Sequence, residues 1–387
     1  MRIALVLDRY EPGRGGLEHW ADDLVRWLIG RGHGVDVVAF EAEAAAIPTG
    51  ARAHLVASRP GHLERADAVA RRLEELTVDI VHDLGVGWRY DVLQAQGGCK
   101  LASARRSLRS LPPWRRLLRT LDPRYRRRIA AMRRLESRQY AAGGGLVISV
   151  SRLVQSEVTR RFGVAPERLR VVHNGVDTAR FSPRSNPDAR ESLRRRLGVG
   201  DRVVFLMAAH NYLLKGVGTA LHALRLLERR GAGRAHLAVI GCGPVAAYAR
   251  VARRLGVQHR VTLCGRVDDQ VPYFHAADVL LHPTFYDACS LVLLEGWACG
   301  LPAIASASDG AAELMTAGIE GIVLEDPGDA EELAAAMAVM LDPAVRERMG
   351  GRARALAERH PLTASFEAIE RLYFEAAAAR RSAACRR

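Results

Sequence analysis

The stretch His282-Pro-Thr-Phe-Tyr-Asp-Ala-Cys-Ser-Leu-Val-Leu-Leu-Glu-Gly-Trp-Ala-Cys-Gly-Leu-Pro302 lies between two short apolar runs, Asp278-Val-Leu-Leu281 and Ala303-Ile-Ala-Ser306. Apolar runs of that length, bounded by turn formers, read as buried strands. The segment between them reads as a turn followed by a helix. It carries two acids, Asp287 and Glu295, eight positions apart. Two helical turns take about seven residues, so this offset keeps both carboxylates near one face, Asp287 at the helix start and Glu295 further along. A helix start presents unpaired N–H groups and partial positive charge to an anion. Carboxylates accept hydrogen bonds from hydroxyls. Two acids at this spacing also occur on any amphipathic helix. The flanking strands and the Gly300-Leu-Pro302 stop favour a site for a ligand bearing both phosphate and hydroxyls.

Outward from this stretch, apolar runs alternate with amphipathic segments. Strands are expected at 3–7, 35–40, 79–82, 146–150 and 169–173, then at 203–207, 236–240, 261–264, 279–282 and 303–306. Helical periodicity lies between most of them, as at 17–31, 217–230 and 246–255. Such alternation predicts an α/β chain of parallel sheets covered by helices on both faces, with ligands at the carboxyl ends of the strands. A chain of 387 residues suits two such domains. The polar segment 174–201, which includes Ser182-Pro-Arg-Ser-Asn-Pro187, is the expected joint. The division expected is 1–180, 181–361 and a terminal helix 362–387, with a cleft between the two doubly wound domains.

Composition narrows the class. The chain is 49% hydrophobic and 26% charged, as in globular proteins, and no apolar run reaches the length of a membrane span. Met1–Asp8 reads as a first buried strand rather than a signal peptide. Six scattered cysteines form no C-x-x-C pair, and neither a D-x-D motif nor a His/Cys/Asp cluster at metal spacing occurs. No metal and no cofactor are expected, and a reducing cytosol fits.

The motif at 282–302 resembles the acidic-x7-Glu box of retaining glycosyltransferases with the GT-B fold, family 4 in type. That resemblance implies that the helix start, with Ala288, Cys289, Ser290 and Leu291, holds the donor diphosphate. It implies that Glu295 binds the ribose and that Asp287, where the family usually has Glu, touches the donor sugar. Pro12-Gly-Arg-Gly-Gly-Leu-Glu18 is similar to the family's Gly-Gly-x-Glu loop, which puts Gly15, Gly16 and Glu18 near the phosphates and the acceptor. His210-Asn-Tyr-Leu-Leu-Lys-Gly216 is similar to the element whose lysine, here Lys215, neutralises the diphosphate. Asn211 stands where many members carry arginine. Gly241 and Gly243 fall near the nucleotide, and backbone around Val267 reads a uracil. Gln96 stands where a histidine is frequent, beside the donor sugar. Asp287, Lys215 and Gln96 are thus the expected catalytic set. His82 reads more readily as a structural strand-end histidine.

The chain's net charge of +14 is concentrated. Lys100–Arg138 holds fourteen Lys or Arg against two acids, Asp122 and Glu136, interleaved with Leu, Trp, Tyr, Ile and Met and broken by Pro112-Pro113 and Pro123. Basic amphipathic helices favour anionic membrane surfaces. Nucleic acid is the rival polyanion, but nothing resembles a base-reading module, so no nucleic-acid partner is expected. Within the family the likeness is greatest to lipopolysaccharide core glucosyltransferases. The expected activity is transfer of a hexose, glucose for preference, from a UDP-sugar to a lipid-linked saccharide. The expected location is the cytoplasm, peripheral on the inner face of the plasma membrane through 100–138. A UDP-sugar epimerase of the same fold and a catalytically inactive membrane-binding homologue stay open as alternatives.

Overall fold

A computed structural model describes residues 1–57, 61–141, 144–183 and 187–384. Arg184–Asn186 of the expected joint and Cys385 lie outside the described residues. The chain divides into two compact units. The first comprises Met1–Ala104, Pro113–His173 and Thr363–Arg387; the second comprises Arg105–Pro112 and Asn174–Leu362.

The first unit is built on seven strands: β1 (Arg2–Tyr10), β2 (Gly34–Ala42), β3 (Ala51–Leu55), β4 (Ile80–Asp83), β5 (Val92–Gln94), β6 (Leu146–Ser149) and β7 (Leu169–Val171). Their order is β3-β2-β1-β4-β5-β6-β7, with every pairing parallel. The Gly16–Gly30 helix buries Trp20, Leu24, Val25 and Leu28, one stripe at helical spacing. The Leu362–Ala384 helix belongs mostly to this unit and buries Phe366, Ile369 and Tyr373. Phe366 meets Trp20 edge to face at 5.8 Å, and Glu370 accepts from His33 at 2.8 Å.

The second unit holds six strands: β8 (Val203–Ala208), β9 (Ala235–Ile240), β10 (Val261–Gly265), β11 (Val279–His282), β12 (Ala303–Ser306) and β13 (Gly321–Leu324). Their order is β10-β9-β8-β11-β12-β13, again parallel. Val203, Phe205, Met207, Leu237, Val239, Leu281 and Ile304 form the centre of its core. Both units are therefore Rossmann-like, and the architecture is GT-B. The winding reverses between β1 and β4 and between β8 and β11, the switch points where doubly wound sheets open a crevice.

Three strands escape the sequence reading for physical reasons. β3 is a polar edge strand carrying Arg52 and His54, β5 has three residues, and β13 begins with glycine. One local expectation is corrected. The helix after β11 runs only from Leu291 to Ala298, with Ser290 as its N-cap. Asp287 lies before it on extended backbone, bridged to Asp309: Asp287 N–H donates to Ser308 O at 3.1 Å, and Gly310 N–H to Asp287 O at 3.0 Å. Eight-residue spacing thus does not put the two acids on one helical face, because a Ser N-cap begins the helix later.

Candidate functional site

At the β8/β11 switch point of the second unit, two loops interlock. Gly216 carries φ +75°, and a Cβ there would lie 2.2 Å from the Pro283 carbonyl oxygen, so only glycine lets the β8 loop approach the β11 loop. Phe285 N–H donates to Leu214 O at 2.8 Å, and Thr284 Oγ1 to the same oxygen at 3.2 Å. This lock delivers Lys215 Nζ onto Asp287 Oδ2. Asn211, in the same loop, uses its side-chain oxygen to accept from Leu214 N–H at 3.2 Å.

Asp287 Oδ2 also lies 3.3 Å from His282 Nε2, which is 3.5 Å from Asp309 Oδ2. Burial alone would raise the Asp287 carboxyl; the Lys215 ammonium and His282 overcome it and hold the group below the usual carboxylate range. Asp309 takes the opposite shift. Burial and the Asp287 charge push it up, so the two acids are driven apart in proton affinity. His282, Asp287 and Asp309 bring ligand atoms within 4.8 Å of one another. Spacing alone did not reveal this cluster, because its members come from the ends of two different strands. It has the donor types of a cation site, and the Lys215 ammonium already places a positive charge against it.

The Leu291–Ala298 helix has no side-chain cap. Ser290, the residue that would normally supply one, turns its hydroxyl to Asp309 instead. The first-turn amides thereby keep their polarity for an anion. Asp309 also accepts from Ser290 N–H at 3.1 Å, so that amide is committed within the expected 288–291 set. The Cys289 thiol is buried and pushed well up by burial, which leaves only its backbone for ligand work; its carbonyl accepts from Asn174 at 2.8 Å. Glu295 sits one helical turn further on, accepts from Gln270 Nε2 at 3.0 Å, and is pushed up to about 7 by burial, against the opposing effects of Arg180 and Gln270. Gly241 N–H donates to Gly265 O at 2.7 Å, and Gly243 lies flush on the Tyr212 ring. Val267 is half-buried in the loop after β10.

In the first unit, Gly15 is the N-cap of the helix beginning at Gly16, with no side-chain cap, and the Glu18 carboxylate folds back over Gly15. Gln96 follows β5, is buried, and accepts from Gln94 Nε2 at 2.8 Å. The basic segment folds as helices Lys100–Arg109, Pro113–Leu121 and Pro123–Gln139. Lys100 Nζ is tied to Gly85 O at 2.7 Å, and Glu136 accepts from Lys100 N–H at 2.6 Å and Leu101 N–H at 3.1 Å. These two charges are structural. The Pro113–Leu121 helix differs: it has no buried residue, and Trp114, Leu117, Leu118 and Leu121 are 59–61% exposed.

Comparison with known proteins gives the family and the fold. The model for "Glycosyltransferase Family 4" matches residues 14–180, and that for "Glycosyl transferases group 1" matches 200–342. A Mycobacterium tuberculosis protein named GDP-mannose-dependent alpha-(1-6)-phosphatidylinositol monomannoside mannosyltransferase is 30% identical over 372 residues, 91% of this chain and 92% of its own. The chain belongs to glycosyltransferase family 4. A Mycolicibacterium smegmatis protein of the same name is 36% identical over 216 residues, covering 53% of this chain and 55% of its own. The crystal structure of WaaG, a glycosyltransferase involved in lipopolysaccharide biosynthesis, matches with TM-score 0.79 and 24% identity over 95% of this chain and 98% of its own. Anabaena HepE in complex with UDP-glucose matches with TM-score 0.74 and 20% identity, over 96% and 98% of the two chains.

The second unit thus presents an uncapped helix start, an ammonium and a buried acid, groups able to meet phosphate and hydroxyls. The sequence reading missed Asp309 and His282. The available signal was the Ser308-Asp309-Gly310 turn just beyond the carboxyl end of β12, one strand away from Asp287.

Proposed function

We propose that this glycosyltransferase moves a hexose, glucose first among candidates, from a UDP-sugar to a lipid-linked saccharide with retention at the anomeric carbon. The observation that carries the donor assignment is the uncapped Leu291 helix start beside Lys215 and Asp287. In this reading, Lys215 and the first-turn amides take the charge of the departing diphosphate, the kind of stabilisation that dominates transfer of this type. Asp287 contacts the donor sugar and is kept ionised by Lys215 until the donor arrives. Glu295 receives the ribose hydroxyls, Gly241, Gly243 and Val267 line the nucleotide, and Gly15, Gly16, Glu18 and Gln96 serve the transferring sugar and the acceptor.

The lipid-linked acceptor is supported by the Pro113–Leu121 helix. Trp114, Leu117, Leu118 and Leu121 fall at i, i+3, i+4 and i+7, a continuous apolar stripe, with Arg115, Arg116 and Arg119 on the flanks. Such a helix suits the boundary of an anionic membrane, where each basic residue contributes about 1 kcal/mol. Among the described residues no helix is long and apolar enough to cross a membrane. The resulting picture is an enzyme peripheral on the inner face of the plasma membrane.

The named mycobacterial relatives favour a second reading of the donor, GDP-mannose. A panel of UDP-glucose, UDP-galactose and GDP-mannose, scored by slow hydrolysis and then by transfer to lipid-linked saccharides, separates the two. Turnover confined to GDP-mannose overturns the UDP reading and leaves the site assignments standing. An inverted anomer in the product overturns retention.

A further inference from the structure

Beside Glu295, one side chain of the second unit has a contact but no role in the account so far. Gln270 opens the Val271–Ala276 helix as its N-cap, yet its side chain makes no cap there. An N-cap side chain normally serves its own helix. Here Asp269 Oδ1 takes that part by accepting from Val271 N–H at 3.1 Å, and the Gln270 amide goes elsewhere: Nε2 donates to Glu295 Oε2 at 3.0 Å. Both ends of this bond stand on fixed backbone. Gln270 O accepts from Tyr273 N–H at 3.0 Å and from Phe274 N–H at 3.2 Å, and the fully buried Phe274 ring meets Phe181 edge to face at 5.9 Å. Glu295 is carried by a helix whose Leu293, Leu294 and Trp297 are fully buried.

The partners decide what the bond can do. An ionised carboxylate only accepts, with about four lone-pair positions on its two oxygens, and an amide NH2 only donates. Gln270 therefore favours the ionised form of Glu295, holds the carboxyl in one orientation and leaves the other positions for hydroxyls. Unlike Lys215 at Asp287, it does so without cancelling the charge. Burial works the other way and pushes Glu295 up to about 7; Arg180 and Gln270 oppose it. The remaining groups around the helix lie further off. Asp309 is bonded to Ser290 at its start, Cys299 follows one turn on, and Arg354 of the Pro343–Glu358 helix reaches the Ala298 carbonyl at 2.6 Å. Burial raises the Cys299 thiol to about 12 and so keeps it neutral.

We propose that Gln270 is a positioning residue that aims the Glu295 carboxylate at a vicinal diol, so that the pair, rather than Glu295 alone, selects a ribonucleoside diphosphate. This rests on the ribose role given to Glu295 above.

Gln270→Met keeps the length of the side chain and removes the donor. In ligand-free protein, carbon-13 carboxyl shifts should place the Glu295 midpoint about one pH unit above wild type, the scale of one hydrogen bond to a charged group. Loss of the resonance in Glu295→Gln assigns it. Gln270→Glu, which sets a second acid against the first, should move the midpoint further up. The rise of UDP or GDP affinity with pH should move by the same interval, so that binding is about 5-fold weaker around pH 7 and nearly equal around pH 9. In turnover the loss should fall on donor KM, with kcat held. An unmoved Glu295 midpoint overturns the proposal, whether affinity is unchanged or falls equally at every pH, as for a residue that only supports the fold. A midpoint that moves while nucleotide affinity ignores it takes the ribose away from Glu295, and the diol role of the pair with it, while the hold of Gln270 on the carboxyl stands.

Discussion

The two sheets share one winding and reverse it at equivalent points, yet they tie up their side chains differently there. Around the β8/β11 reversal stand Lys215, Asp287, Asp309 and His282, charged or readily charged and packed against one another. Around the β1/β4 reversal and neighbouring β5, the buried Asp83 carboxyl is taken up by the Gly85, Val86 and Gly87 amides, and beside it stand His82, Gln94 and Gln96, a ring held neutral by burial and two neutral amides. The same backbone frame thus carries two chemistries. A charged cluster suits a leaving group that accumulates negative charge, because preorganised charges act strongly in a site poor in water. Neutral hydrogen-bonded pairs suit orientation, because they fix direction without adding field.

The largest break in this comparison should come from Lys215→Ala, with turnover falling about 100- to 1,000-fold, as when one preorganised stabilising group is removed. It also leaves Asp287 without its main counter-charge, so the Asp287 carboxyl should titrate upward; a carboxyl that stays low would show that His282 suffices. A loss under 5-fold would mean the helix start alone carries the phosphate.

Next in size is the Pro113–Leu121 helix, proposed above to meet the membrane. Leu118→Glu removes one apolar side chain of the stripe and adds a charge, a cost of about 2 kcal/mol, or roughly 30-fold in binding to vesicles with anionic lipid. Hydrolysis of the free donor should be unchanged. Equal binding by variant and wild type would remove the helix from the membrane.

A pH series sharpens the contrast from the charged side. Glu295 is raised to about 7 from the ordinary value near 4.5. Its protonated form is the one the fold favours. Its contribution to stability is therefore full below about 4.5 and is lost as pH rises through 7. Ribose hydroxyls need the ionised form as acceptor, so donor affinity should rise between pH 6 and 8. Glu295→Gln should flatten both trends. A wild-type donor affinity that does not change with pH would take the ribose away from Glu295.

The last expected effect is read in stability. Gly216→Ala forces a side chain into positive φ against the Pro283 carbonyl and should cost about 1–3 kcal/mol in denaturant unfolding. A neutral result would mean that the loop lock at Lys215 yields easily.

Much of this was legible in the sequence where chemistry is local. The buried strands β1, β8, β11 and β12 are continuous apolar runs, and Lys215, Asp287 and Glu295 stood out from the motifs around them. What escaped depends on strand register. Asp309 reaches Asp287 only because β12 lies beside β11, and Tyr373 reaches His82 across 291 residues of chain. Helix start was misjudged at Asp287 because spacing cannot tell an extended residue from a helical one until the N-cap is placed. In the basic segment, charge counting treated fourteen cations alike, whereas Lys100 is pinned to a backbone carbonyl and the exposed apolar stripe is confined to Pro113–Leu121.

The central claim is that Lys215 and the Leu291 helix start hold the donor diphosphate. Calorimetric binding of UDP and GDP, each set against its monophosphate and nucleoside, tests it most directly in wild type and Lys215→Ala. The account predicts that one diphosphate binds far more tightly than its nucleoside and that Lys215→Ala erases most of that difference. Equal affinity for diphosphate and nucleoside, or a difference that survives the substitution intact, would contradict it.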